Sequence, residues 1–500
     1  MKILSGDQIR KADSRTLVEQ NLTGVALMER AGIVLYKWFN DYLKHTTATI
    51  HIFCGTGNNG GDGLVVARLL SFENYNVTVH IVPTSKPTPD FKTNLERLTE
   101  AVLYPDHYDK NAALPEISPQ DIVIDAIFGS GLNRQPDAGV VRLFQHINNT
   151  GATVIAIDIP SGLYLDRKPE REEDVLCAAI VLSLQFPKLV FFLPELQRYL
   201  EKFVVLDIGL SKKYSQEVVT VFSYTDADDI QKRLKTFGPY SHKGTFGHVL
   251  TIGGSYGKIG SMILASTAAL KTGCGLVTAF VPECGYEILQ VAIPEVMVVT
   301  DKNKNFITAI QYELQPDAVV IGMGMGQNSK TQQALHEFLK SYEKALVIDA
   351  DGLNIISENK TWLSLLPSKT ILTPHPKELE RLIGKWKDDF DKIDKTVAFS
   401  KKYDIVVLIK GAYSMVVYDG KVHINSTGNP ALSTGGSGDV LSGMIASLRA
   451  QSYDATDALI IAVYLHGLTA DLALADMSYH SFVASDSINY LGRAYQKIGE

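Results

Sequence analysis

Short apolar runs rich in β-branched residues alternate with helical patterns along nearly the whole 500-residue chain. In the first half these runs are 48–54, 77–82, 121–128, 153–160, 179–186 and 203–207. Most are apolar on both faces, the mark of parallel strands covered by helices on each side. That alternation predicts a doubly wound α/β sheet. A polar, helix-like stretch at 221–235, broken by Phe237-Gly238-Pro239, interrupts the series. A second series starts at 247–253 and continues through 276–281, 317–322, 345–349, 370–373 and 404–410. A hairpin, 414–418 and 421–424, turns on Asp419-Gly420. One core seldom serves so long a chain, so two α/β domains are predicted, 1–222 and 223–500.

Composition excludes several classes. The chain is 45% hydrophobic and 21% charged, as soluble globular proteins are. A net charge of -7 argues against a sequence-independent nucleic-acid binder. The opening residues lack the apolar core of a signal peptide, and Ser5-Gly6-Asp7-Gln8 reads as a helix capping box, so the mature chain is expected to begin here. The apolar stretch 458–475 is broken by His466 and Asp471 and is expected to be a buried helix, not a membrane span. Cys54, Cys177, Cys274 and Cys284 show neither metal-ligand spacing nor a disulfide framework, which fits a reducing cytoplasm. Small molecules are the expected partners, with no nucleic acid and no membrane.

Gly55-Thr56-Gly57-Asn58-Asn59-Gly60-Gly61-Asp62-Gly63 follows the run ending at Cys54 and opens a helix containing Val65-Val66-Ala67-Arg68. Gly55, Gly57 and Gly60 satisfy GxGxxG, which lets backbone approach a phosphate at a helix N-terminus. An ordinary dinucleotide dehydrogenase also needs an acidic residue at the end of the next strand. Here that strand ends Val82-Pro83-Thr84-Ser85, without a carboxylate. Instead Asn58 and Asn59 stand beside Asp62. Asp125, before the 129–134 loop, and Asp158, before Pro160-Ser161-Gly162, fall at the same sheet edge. Each aspartate alone reads equally as a helix cap or a surface group; together they favour a ligand. The oxygens of Asn59, Asp125 and Ser161 suit a hard cation.

With Leu27-Met28-Glu29-Arg30-Ala31-Gly32 upstream and the segments 128–134 and 158–162 downstream, this loop resembles the NAD(P)H-hydrate epimerase domain over residues 1–215. The resemblance implies a Rossmann-like three-layer sandwich. It implies that Asn58, Asn59, Gly60, Gly61 and Asp62, with Gly129, Ser130, Gly131, Leu132, Asn133, Arg134 and Gln135, contact the hydrated nicotinamide nucleotide. It also implies that Asn59, Asp125 and Ser161 hold K⁺ and that Asp158 contacts the substrate. Asp158 is then the expected proton-transfer group, provided that burial raises its pKa.

In the second half, Gly435-Gly436-Ser437-Gly438-Asp439 precedes a hydrophobic helix. Backbone amides there form an anion hole aided by the helix dipole, with Asp439 beside a transferred phosphoryl group. Lys410-Gly411-Ala412-Tyr413-Ser414 ends the apolar run 406–409 and reads as part of a nucleotide-phosphate site. His375, between Pro374 and Pro376, is expected in a rigid, extended segment at a strand end. Together with the segments 253–258, 272–277, 321–326 and 349–354, these features resemble the ribokinase-like fold. Within it the match is to the ADP/ATP-dependent NAD(P)H-hydrate dehydratase family, over 226–497. The chain departs from that family at Ser261, Cys274, Met323 and Lys377.

The two resemblances imply an epimerase that interconverts the R and S hydrates of NADH and NADPH, and a dehydratase that acts on the S hydrate with ADP and Mg²⁺. The dehydratase would phosphorylate the added hydroxyl and expel phosphate, leaving NADH or NADPH and AMP. Asp439 would be the catalytic base, with Ser261, Gly324, His375 and Asp439 on the hydrated cofactor. Lys410, Gly411, Ala412, Tyr413, Ser414 and Gly438 would hold the nucleotide. A homo-oligomer is expected. The competing reading is a vitamin or sugar kinase using the same Asp439 loop, with a non-catalytic N-terminal binding domain.

Overall fold

The computed structural model describes residues 1–111 and 113–499 and divides the chain into two compact units, Lys2–Thr220 and Val221–Glu500. The first unit is built on a seven-stranded sheet. In spatial order the strands are Asp106–His107, Val77–Val82, Ile50–Gly55, Ile122–Ala126, Thr153–Ile157, Ala178–Leu184 and Leu200–Leu206. Every neighbouring pair is parallel. Ile50–Gly55 is buried at all six positions, as a central strand covered on both faces must be. Ile52, Ile81 and Ile124 of adjacent strands share one core with Leu35, Leu64 and Phe91 from three helices. Chain order reverses between Ile50–Gly55 and Ile122–Ala126. At such a reversal the connecting segments diverge and leave a crevice at the strands' carboxyl ends.

The ten strands of the second unit run Phe222–Thr225, Lys421–Asn425, Met415–Tyr418, Val406–Ile409, Ile371–Leu372, Leu346–Ile348, Ala318–Ile321, His248–Ile252, Leu276–Val281 and Met297–Thr300. Their pairings are parallel except along the hairpin, where Met415–Tyr418 runs antiparallel to both neighbours. Here the order reverses between His248–Ile252 and Ala318–Ile321. Asp349, His375 and Lys410 all follow the carboxyl ends of parallel strands. One sequence expectation fails: 221–235 is not simply helical. Phe222–Thr225 is a strand parallel to Lys421–Asn425, and the helix starts at Ala227. Its first three residues are only half-buried, so the strand lacks a strong buried pattern, and pairing to a distant partner decides its conformation.

Two helices of this unit approach very closely. A Cβ added at Gly443 in Ser437–Ala450 would lie 2.0 Å from the Ala265 carbonyl oxygen in Gly260–Lys271. One turn earlier on the two helices stand Asp439 and Ser261, so this contact governs how near their side chains come. The helix Ala455–Ala473 is long and apolar enough to cross a membrane, yet 72% of its apolar window is buried inside the protein.

Gly443→Ala is therefore expected to destabilise the second unit by about 1–3 kcal/mol, read as a lower Tm by calorimetry. Gly492→Ala is the control, because nothing beyond its chain neighbours and its own helix backbone lies within 4 Å of the added Cβ. In the helix Ala484–Ile498 it should instead stabilise by roughly 0.5–1 kcal/mol.

Candidate functional sites

A cleft of about 710 Å³ opens at the reversal in the first unit. One wall is the helix Gly6–Glu19, which presents Ile9, Arg10, Asp13 and Leu17. Asn58, Asn59, Asp62, Thr84, Ser85, Gly129, Ser130, Gly131, Leu132, Asn133, Arg134 and Asp158 also line it. The helix Asn58–Phe72 begins at Gly57, which gives its first-turn amides no side-chain cap. Such amides suit an anionic ligand.

Asn59, Asp125 and Ser161 meet around the Phe128 peptide. Asn59 Nδ2 donates to the Phe128 oxygen at 3.0 Å, and the Phe128 amide donates to Ser161 Oγ at 2.7 Å. The Ser161 amide and hydroxyl donate to the two Asp125 oxygens at 2.7 and 2.5 Å. Burial pushes the Asp125 carboxyl up to about 6 despite these bonds and one from the Ile127 amide. No lysine, arginine or histidine pairs with it among the described residues. A fully buried carboxylate amid oxygen atoms fits a hard cation.

Asp158 corrects a sequence expectation. It lies past the end of its strand at φ +69°, a strained conformation for a non-glycine residue. Its Oδ1 is 2.5 Å from Lys188 Nζ, whose side chain is only 1% exposed, and its Oδ2 accepts from the Ser130 amide at 2.9 Å. Burial would raise its pKa, but Lys188 and Ser130 outweigh burial and hold it below the usual carboxylate range. Asp158 is thus an ion-paired carboxylate, and the raised pKa on which its expected proton-transfer role depended is not found. The raised carboxyls are its neighbours. Burial, with Asp158 and Asp13 adding, pushes Asp62 well up. Burial and then Asp158 push Asp13 to about 6, against the pull of Lys188. The sequence reading missed both Asp13 and Lys188.

Gly60, Gly61 and Gln135 do not line the cleft. A Cβ at Gly60 would sit 1.6 Å from the Gly55 oxygen, and one at Gly61 would sit 2.4 Å from Met28 Sδ. These glycines permit the turn to close. Gln135 instead donates to Asp174 at 2.9 Å.

In the second unit Asp439 is the third residue of Ser437–Ala450, whose N-cap Gly436 is at φ +88°. Burial pushes Asp439 up to about 6; a Ser261 hydrogen bond and Lys410 oppose this, while Asp349 and Asp351 reinforce it. Lys410 Nζ lies 3.2 Å from Asp349 Oδ1, and Ser442 Oγ donates to Asp349 Oδ2 at 2.7 Å. A Cβ at Gly438 would be 3.5 Å from both Asp349 Oδ2 and Lys410 Nζ. Gly324, at φ +60°, would place a Cβ 3.2 Å from the Ser261 Cβ and 2.8 Å from the Lys258 oxygen. Ser261, Gly324, Lys410, Gly438 and Asp439 thus gather at one place, with Asp349, to which sequence reasoning gave no role.

His375 is extended as expected, at φ −74° and ψ 166°, just past the strand Ile371–Leu372. It is the exposed N-cap of the helix Pro376–Ile383, and its Nδ1 accepts from the amides of Lys377 and Glu378 at 3.1 and 3.4 Å. Burial, then Lys410 and Arg381, lower its pKa, so it stands within electrostatic reach of Lys410. Gly411 and Ala412 are exposed, Tyr413 and Ser414 half-buried. Ser414 Oγ closes this turn onto the Gly411 carbonyl at 3.2 Å.

Two family descriptions match the chain: NAD(P)H-hydrate dehydratase over residues 249–492, and YjeF-related protein N-terminus over 24–190. A bifunctional NAD(P)H-hydrate repair enzyme from Moorella thermoacetica is 30% identical over 525 residues, which take in 100% of this chain and 98% of that one. The chain belongs to the bifunctional NAD(P)H-hydrate repair enzymes. A second such repair enzyme, from Coxiella burnetii, is 31% identical over 97% of each chain. Among solved structures, an ADP/ATP-dependent NAD(P)H-hydrate dehydratase from Bacillus subtilis, co-crystallised with ATP/Mg²⁺, is 26% identical and covers 55% of this repair enzyme and 97% of its own chain, with a TM-score of 0.48.

Lys188→Met tests the buried ion pair. It strands the Asp158 carboxylate and is expected to destabilise the first unit by about 3–5 kcal/mol. In the native unit the depressed Asp158 pKa contributes stability above the unfolded value, lost as pH falls through the folded one. Without Lys188, burial alone raises that pKa, so the deficit should be largest near pH 8 and shrink as Asp158 takes a proton on acidification. Urea unfolding at several pH values measures it.

Proposed function

We propose that the first unit interconverts the R and S hydrates of NADH and NADPH, and that the second dehydrates the S hydrate with ADP, releasing AMP and phosphate. The observation that carries the second step is Asp439, held by Ser261 in the first turn behind the 435–438 loop, with Lys410 beside it. Hydroxide leaves poorly and phosphate leaves well, so phosphorylating the added hydroxyl makes the elimination feasible. Asp439 takes the hydroxyl proton as the oxygen attacks the β-phosphorus of ADP; the new O–P bond forms and the bond to AMP breaks. Loop amides and Lys410 meet the charge that develops. Asp349 and Ser442 hold Lys410 in place. The C–O bond then breaks, phosphate departs, and the adjacent carbon loses a proton, restoring the ring double bond.

Mg²⁺ would arrive with the ADP phosphates as part of the substrate. Asn59, Asp125 and Ser161 would hold K⁺ in the first unit, where it would supply fixed positive charge against a buried carboxylate. A vitamin or sugar kinase has no need of the first cleft, and the full-length relatives favour repair.

Absorbance at 340 nm on mixed R and S NADH hydrate tests both halves. Complete recovery with ADP is expected; recovery of only the S fraction sinks the epimerase, and none with ADP or ATP returns the kinase. Asp439→Asn should lower dehydratase kcat by about 10²–10⁴-fold while epimerisation persists. Because Asp439 must be ionised to accept the proton, and burial raises it to about 6, wild-type kcat should climb with pH through that value and then level.

A further inference from the structure

Turning one hydrate epimer into the other requires a group that gives a proton and another that takes one. Three carboxylates reach the first cleft from different parts of the fold: Asp13 from Gly6–Glu19, Asp62 from Asn58–Phe72, and Asp158 beyond Thr153–Ile157. The ion pair with Lys188 engages one oxygen of Asp158 and holds it as a carboxylate. Asp13 lies mid-face on its helix, with Ile9 and Leu17 one turn to either side, so its carboxyl is presented to the cleft from an apolar wall. The geometry points to Asp13 as the second proton-transfer residue of the epimerase, working with Asp62 across the hydrated ring.

This inference rests on the epimerase reading and gives it an acid and a base. The hydrated ring carries its hydroxyl on the carbon beside the ring nitrogen. Protonated Asp62 gives its proton to that oxygen; the C–O bond breaks, water leaves, and the nitrogen lone pair forms a C=N bond. Water then adds to the opposite face, and Asp13 takes the proton that it sheds. One proton enters and one leaves, so the balance closes, and the reverse reaction uses Asp13 as the acid. The other charged residues that line the cleft are Arg10, Asp90 and Arg134, and Lys188 backs Asp158. Burial raises both Asp62 and Asp13, which lets either carboxyl carry a proton near neutral pH.

The test uses the full chain without ADP, so that only epimerisation proceeds, with purified R hydrate of NADPH followed by chromatography. Asp13→Asn is expected to lower kcat about 100-fold or more, to change KM less than about threefold, and to erase the pH limb near 6. Asp13→Glu should recover at least about a tenth of wild-type kcat and restore the limb. The proposal falls if Asp13→Asn keeps kcat within about threefold of wild type, or loses activity through KM alone. It also falls if Asp13→Glu is as inactive as Asp13→Asn, which would make the residue structural. A wild-type chain no faster than spontaneous exchange would overturn the epimerase reading itself, an outcome distinct from failure of the variants.

Discussion

Each site gathers more carboxylates than lysines, and burial makes that imbalance consequential. In the first unit Lys188 neutralises Asp158, leaving Asp13 and Asp62 to be raised by desolvation and by the fixed anion beside them. In the second, Lys410 pairs with Asp349, and Asp439 is left raised in the same manner. One carboxylate is thus tied down so that its neighbours have use for a proton. Desolvation alone would shift every group; Lys188 and Lys410 set a paired carboxylate apart from its raised neighbours. Both arrangements stand at the carboxyl ends of parallel strands, where chain reversal leaves room for a ligand.

Backbone proximity completes the arrangement. Gly60 folds the first loop tightly enough that no side chain fits against the Gly55 carbonyl. Gly322, at φ +124°, lets Asp349 lie against the strand end, since a Cβ there would be 2.0 Å from the Asp349 oxygen. The reactive side chains are held by what is missing from their neighbours, and a methyl group at these positions would move the chemistry without touching it.

Much of this was legible in the sequence. Strands Val77–Val82 and Leu276–Val281 match the runs read from sequence residue for residue, because a short β-branched run that is apolar on two faces fits little besides a covered parallel strand. The loops around Gly57 and Gly438 announce themselves by glycine density. Asp13 does not: among Lys11, Ala12 and Arg15 it looks like any aspartate on an exposed helix, and only the fold reveals that its face is turned inward. Lys188, after Phe186-Pro187, carries no motif, yet it reverses the expected behaviour of Asp158. The strand Phe222–Thr225 was hidden because its partner lies far away in the chain, where local patterning cannot report it.

That distant pairing orders events during synthesis. Ser223 and His423 face each other across 200 residues, joined by a 2.8 Å hydrogen bond. The first strand of the second unit to leave the ribosome must therefore wait for the last one among the described residues, and the apolar helix Ala455–Ala473 emerges later still. The seven strands of the first unit's own sheet all lie within residues 50–206, so that sheet can form while translation continues. The second unit, with pairings of long reach and a late apolar helix, spends that interval incomplete. A nascent chain stalled before residue 473 would thus carry a finished first sheet and an exposed, unfinished second unit, which is the form most in need of a chaperone.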